Sequence, residues 1–98
     1  MNQKNFLNKT EINPFGPPTT GGIYFICHRE DYGDEVVLYI GRTTNFKNRL
    51  KNPRHPYKKS IKKFDGNVYV RYYHESNSLK LEGSLIKLFQ PIMNIQNK

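Results

Sequence analysis

Gly22-Ile23-Tyr24-Phe25-Ile26-Cys27-His28 and Glu35-Val36-Val37-Leu38-Tyr39-Ile40-Gly41 decide the fold of this chain. Both stretches are rich in β-branched and aromatic residues, each carries a phenol, and each has glycine at one end. Such composition fits a pleated, half-buried surface, and the glycines let another backbone or a ligand come close. Between them, His28 to Asp34 (HREDYGD) combines charge with turn-forming residues and predicts an exposed hairpin loop. The two stretches therefore read as the paired strands of a β-hairpin.

Working outward, Thr43 or Thr44 is a plausible N-cap for a helix in which Phe46 and Leu50 share a face. Pro53 ends that helix, because it disfavours helical geometry at the residue before it. Residues 51 to 63 read as an irregular or helical basic segment. The turn Asp65-Gly66 leads into Asn67 to His74 (NVYVRYYH), which alternates well enough for a third strand. Ser76 or Ser78 then caps a helix that buries Leu81, Leu85, Leu88 and Phe89, and Pro91 stops it. Residues 1 to 20 are polar and carry Pro14, Pro17 and Pro18, so they read as an extended arm ahead of a domain over 21 to 98. The expected architecture is a mixed α/β domain of the α+β kind, a small three-stranded antiparallel sheet flanked by helices.

Ninety-eight residues make one domain with one modest core. The seven Tyr, six Phe and absence of Trp fit a sheet packed by aromatics and β-branched residues. A net charge of +8 favours a polyanionic partner, since neutralising phosphates releases counterions. No apolar run reaches the length of a membrane-spanning helix and the N-terminus lacks a signal-peptide stretch, so the expected setting is intracellular, cytoplasmic or nucleoid-associated. Cys27 is the only cysteine, which excludes an internal disulfide or a cysteine-rich zinc site; it reads as a buried strand thiol. His28 and His74 fall at strand ends without metal-ligand spacing and read as structural.

Gly22-Ile23-Tyr24 and Tyr39-Ile40-Gly41, then Arg49, Glu82 and Asn94, occur in an order that resembles the GIY-YIG nuclease family. The resemblance covers residues 21 to 95 and implies a single metal-dependent phosphodiesterase site. Hydrolysing a phosphodiester requires deprotonated water, a stabilised transition state and a neutralised leaving oxygen. By the resemblance, Glu82 is the ligand of one Mg²⁺ or Mn²⁺. On the residues alone it reads as a solvated glutamate near a helix N-terminus. The family places an arginine equivalent to Arg49 on the scissile phosphate, with Arg42 as a supporting contact. These two are seven positions apart, which on a helix would turn them to one side. Tyr24 and Tyr39 are the candidate general base and water orienter. A positive field would lower a phenol towards neutrality, while strand aromatics in the core are the alternative. Many family members carry His or Tyr about four residues after the helix arginine. Here Pro53 stands there, leaving His55 or Tyr57, with His55 the candidate proton shuttle. Asn94 is assigned to hydrogen bonding that steadies the site.

Residues 42 to 63 hold nine basic side chains and no acid. Besides Arg49 these are Arg42, Lys47, Lys51, Arg54, Lys58, Lys59, Lys62 and Lys63, read as a surface that tracks a nucleic-acid backbone without reading sequence. The expectation is an endonuclease acting on duplex or branched DNA, one site per chain. The alternatives are a non-cleaving nucleic-acid-binding module of the same fold and an RNA-directed nuclease. With no C-terminal DNA-binding module expected, specificity would come from the arm, a homodimer or a partner protein.

Overall fold

The computed structural model describes residues 2–30, 33–64, 67–75 and 79–96. The expected turn at Asp65-Gly66 and the caps at Ser76 and Ser78 lie outside them. Four strands form one antiparallel sheet: β1 (Glu11–Ile12), β2 (Gly22–Arg29), β3 (Glu35–Thr43) and β4 (Val68–Tyr73), in the order β1-β4-β2-β3. The described residues also form five helices: α1 (Gln3–Leu7), α2 (Phe46–Leu50), α3 (Pro56–Lys63), α4 (Leu79–Phe89) and α5 (Ile92–Gln96).

Strand β2 is central and covered on both faces, which is why its apolar run is continuous instead of alternating. Ile23, Phe25 and Cys27 face α1 and α4, packing with Val37, Ile40 and Leu85. Tyr24 and Ile26 face the other way, packing with Leu38, Phe46, Leu50, Val70 and Tyr72. Gly22 has φ +152° and a Cβ there would lie 2.1 Å from the Tyr73 carbonyl oxygen, so only glycine fits where β2 meets β4.

Register shifts once along the hairpin. Ile26 pairs with Tyr39 but Cys27 pairs with Val37, leaving Leu38 as an extra residue. This bulge puts Leu38 and Tyr39 on the same side of the sheet. Leu38 fills the core there, and Tyr39 reaches the cluster around Tyr24.

The arm departs from expectation in two ways. It is not simply extended, and it contributes a fourth strand. The prolines begin at position 14 and leave residues 3 to 12 free to fold. Asn2 caps α1, whose Phe6 and Leu7 are buried, with Phe6 ringed by Phe25 at 5.9 Å and Tyr73 at 4.9 Å. β1 then pairs with β4 through Glu11↔Tyr72 and Ile12↔Arg71. Arg71 reaches into this corner, donating to Glu35 and to the Thr10 hydroxyl. Burial alone would raise the Glu35 carboxyl, but bonds from Arg71 and Tyr69 and the nearby guanidinium charges outweigh it and hold it low.

Candidate active site

Four consecutive residues of β3, Tyr39 to Arg42, each hold a different partner. The Tyr39 ring lies 6.1 Å from Tyr24 and meets His55 edge-on at 5.7 Å. Ile40 faces the open edge of the sheet with its backbone. There the Asn94 side chain closes two bonds of 2.8 Å, accepting the Ile40 N–H and donating to the Ile40 carbonyl. An amide thus replaces the strand that an edge lacks. Gly41 packs flat under Tyr24, where a Cβ would lie 2.3 Å from both Cζ and the hydroxyl oxygen. Arg42 places Nε 3.7 Å from Glu82 Oε1.

Tyr24 is 1 % exposed, and its hydroxyl lies 2.7 Å from His55 Nε2. His55 is the N-cap of α3, followed by Pro56 at the first helical position. Its Nδ1 accepts the Tyr57 backbone N–H at 3.0 Å, so the proton of the neutral ring sits on Nε2. His55 therefore donates to Tyr24, and the helix cap assigns the tautomer. Burial, then the charge of Arg49, hold the imidazole down to about 4. It is neutral at physiological pH.

The Tyr24 phenol is pushed well above its ordinary range. Burial is the main cause and the neighbouring Tyr39 adds to it, while the charge and hydrogen bond of Arg49 pull the other way. Of the positive field expected to lower this phenol, only the Arg49 guanidinium acts on it here. One guanidinium does not compensate for losing most of the water around a buried phenol. A hydrogen bond with the Tyr39 side chain adds to that rise, while His55 Nε2 donates to the Tyr24 oxygen.

Arg49 is exposed on α2 with its guanidinium on Tyr24. Phe46 and Leu50, fully buried, set the rotation of that short helix. Its cap is Asn45, not Thr43 or Thr44: the Asn45 side chain accepts the Asn48 N–H at 3.0 Å. The first-turn amides of Phe46 and Lys47 donate to the carbonyls of Thr20 at 2.9 Å and Pro18 at 3.0 Å. Arg42 does not share a helical face with Arg49, because β3 continues through Thr43 and the helix begins only at Phe46. Alternation turns Arg42 to the α4 side of the sheet, where it meets Glu82 in the first turn of that helix.

No group of three or more His, Cys, Asp or Glu capable of holding a metal exists among the described residues. The carboxylate expected as a metal donor, Glu82, makes an ion pair with Arg42 that is long and partly exposed and therefore weak. Such a set does not suit zinc, but it fits Mg²⁺ or Mn²⁺, which keep waters and take substrate phosphates as ligands.

The tyrosines, His55 and Arg49 meet as one cluster. Asn94 and Glu82 touch the same strand but not the cluster: Asn94 holds the Ile40 backbone, and Glu82 meets Arg42 on the α4 side of the sheet. Arg42, Lys47, Lys51, Arg54, Lys58, Lys59, Lys62 and Lys63 are all exposed. On α3 the buried Ser60, bonded to the Pro56 carbonyl and to Met93, turns the lysines outward. His28 packs on Phe64 at 4.6 Å, and His74 bonds Glu11 and Thr20, so both are built into the fold. Cys27 is buried and its thiol is pushed far up, chiefly by that burial. A cleft of about 390 Å³ at the opposite end of the hairpin is lined by Lys4, Arg29, Glu35 and Arg71. Glu35 and Arg71 there neutralise each other at 2.6 Å.

Reading the sequence missed Asn45 as the cap of α2 and Tyr57 as the residue whose amide fixes His55. The dipeptide His55-Pro56 carried the second signal, since proline at the first helical position makes the residue before it the cap.

The fold is a small α+β domain in which the hairpin's paired phenols meet a histidine and an arginine from the following helices, and a carboxylate of α4 is tied to β3 through Arg42. A family model described as the GIY-YIG catalytic domain matches residues 20–96. The chain belongs to that family, whose members are generally hydrolytic nucleases. Comparison with curated proteins and with solved structures gives no match. Among the described residues no helix is long and apolar enough to cross a membrane.

Proposed function

We propose that this domain is a metal-dependent endonuclease that hydrolyses DNA phosphodiesters, one strand per encounter at a single site. The observation that supports the reading is that four consecutive residues of β3, Tyr39 to Arg42, hold a phenol pair with a neutral histidine, a clamped strand edge and an arginine-bound carboxylate. Held by Glu82, Mg²⁺ or Mn²⁺ would polarise a phosphoryl oxygen and neutralise the leaving 3′ oxygen.

The protein's own groups do the rest. Arg49 offers a planar fork to two phosphate oxygens, and Arg42, once Glu82 is otherwise engaged, offers a second. Because Tyr24 keeps its proton, it acts as a relay and not as a free phenolate. Its oxygen accepts the proton of the attacking water as its own proton passes to Tyr39, and the half-buried Tyr39 hydroxyl releases its proton to solvent, so both phenols end neutral. His55, donating from Nε2, steadies the charge that builds on the Tyr24 oxygen during this transfer. Asn94 keeps β3, and with it Tyr39 and Gly41, from shifting at the sheet edge.

The exposed lysines of α3 hold the nucleic-acid backbone without selecting sequence. A domain that only binds has no need of the Glu82 carboxylate, which repels phosphate unless a cation intervenes. This disfavours the non-cleaving alternative.

The test compares DNA and RNA duplexes of matched sequence, incubated with Mg²⁺ and the full chain, with EDTA and Glu82→Ala as controls. Metal-dependent cutting of DNA alone, lost in Glu82→Ala while binding is kept, is the expected result. Cutting of RNA alone would move the substrate class, and binding without cutting of either would refute the nuclease reading.

A further inference from the structure

The turn ahead of the first core strand carries a side chain that the fold does not use. Phe15 is 96 % exposed, while the other exposed large hydrophobics range from 38 to 64 %. The turn is built, not slack. The Asn13 side chain accepts the Phe15 N–H at 2.9 Å, the Asn13 carbonyl accepts the Gly16 N–H at 3.2 Å, and Gly16 takes φ +95°. Pro14 precedes Phe15, and Pro17 and Pro18 follow within three residues.

Both ends of the turn are tied down. Upstream, β1 is hydrogen-bonded to β4, and Glu11 accepts from His74 at 2.7 Å. Downstream, the carbonyls of Pro18 and Thr20 receive the first-turn amides of α2, the helix that carries Lys47 and Arg49. Three peptide steps separate Phe15 from Pro18, so the ring's backbone lies within about 11 Å of Pro18, whose carbonyl meets that helix start. Along one strand of nucleic acid this is a span of roughly three nucleotides.

The charges of the adjoining segments favour a polyanion. From Ile12 to Cys27 the chain carries no charged side chain, and from Arg42 to Lys63 it carries nine basic ones and no acid. An aromatic ring standing clear of such a surface is a platform for a base, because every base has an apolar face that stacks. It is also the kind of wedge that enters a flexible base step in a duplex.

We propose that Phe15 stacks on an unpaired or easily unstacked base a few nucleotides from the phosphate held by Arg49, which biases the enzyme towards DNA with a gap, bulge or branch. The inference rests on the nuclease reading above and adds its substrate preference. Since Phe15 makes no core contact, replacing it leaves folding intact.

The test uses the full chain in EDTA, so that nothing is cut. Two labelled DNAs are compared by fluorescence anisotropy: a perfect duplex, and the same duplex with one unpaired 2-aminopurine. The intact protein binds the second about tenfold more tightly, in line with aromatic–base stacking, and quenches its fluorescence. Phe15→Ala loses both the preference and the quenching while keeping its affinity for the perfect duplex, and Phe15→Trp restores them. Identical behaviour of Phe15→Ala and the intact protein on both DNAs would overturn the proposal and leave the ring to a protein partner. If the intact protein binds neither DNA, the nuclease reading falls with it.

Discussion

Taking the protein from about pH 7.5 to about pH 5 protonates His55 in the unfolded chain but not in the native one. The native imidazole is 1 % exposed, and its Nδ1 is committed to the Tyr57 amide. Burial and the Arg49 charge hold it at about 4, against 6.5 for the free side chain. The unfolded state therefore binds the extra proton first. Stability is complete above pH 6.5 and falls as the pH drops from there towards 4. Over the stated interval the loss is about 2 kcal/mol, or roughly 10 °C in Tm for a domain of this size. Urea titrations at a series of pH values, followed by circular dichroism, measure it. The paired variant is His55→Asn, whose side chain can still cap α3 but has no proton to gain. It starts less stable, because it leaves the Tyr24 hydroxyl without its donor, yet its curve is flatter by that same 2 kcal/mol or so. Acid effects at Glu35 and other carboxylates are common to both proteins and cancel in the difference. Parallel pH curves for the two would refute the assignment of His55 as a neutral cap and donor.

The other predictions concern the hairpin and the basic face. Gly41→Ala forces a methyl against the Tyr24 ring; it should destabilise by about 1–3 kcal/mol, measured by urea titration, and depress cleavage further than that loss explains. Asn94→Asp keeps the bond from the Ile40 N–H but removes the one to its carbonyl. It should cost about 1 kcal/mol and lower kcat more than it raises KM, as steady-state kinetics on a labelled duplex would show. Replacing Lys58, Lys59, Lys62 and Lys63 with alanine should weaken binding equally across sequences. Each lysine that contacts a phosphate should remove about 0.9 from the slope of log affinity against log salt.

What the sequence could and could not reveal follows from how local each signal is. The β2–β3 hairpin was legible because its apolar runs are long, its glycines sit at the ends, and a charged turn separates them. Leu81, Leu85, Leu88 and Phe89 of α4 were legible by helical spacing, and all pack on the core. A two-residue strand and five-residue helices have no period to read, so β1, α1 and α5 escaped notice. The bulge at Leu38 carries no compositional mark, and without it the two-residue alternation would not put Leu38 beside Tyr39. Arg42 was misplaced because spacing alone cannot tell a helix from a strand that runs two residues longer. The raised Tyr24 phenol was out of reach for a different reason. Arginines are visible in a sequence, but burial is a property of the assembled fold, and here burial dominates.

In the proposed reading, the residues held along Tyr39 to Arg42 cut phosphodiesters with a cation bound by Glu82. The decisive experiment incubates supercoiled plasmid and Mn²⁺ with equal amounts of the intact protein, Glu82→Gln and Tyr24→Phe. The intact protein should yield nicked circles and neither variant should exceed the EDTA background, although both still shift the plasmid on a gel. Undiminished nicking by Glu82→Gln would refute the proposed role of that carboxylate.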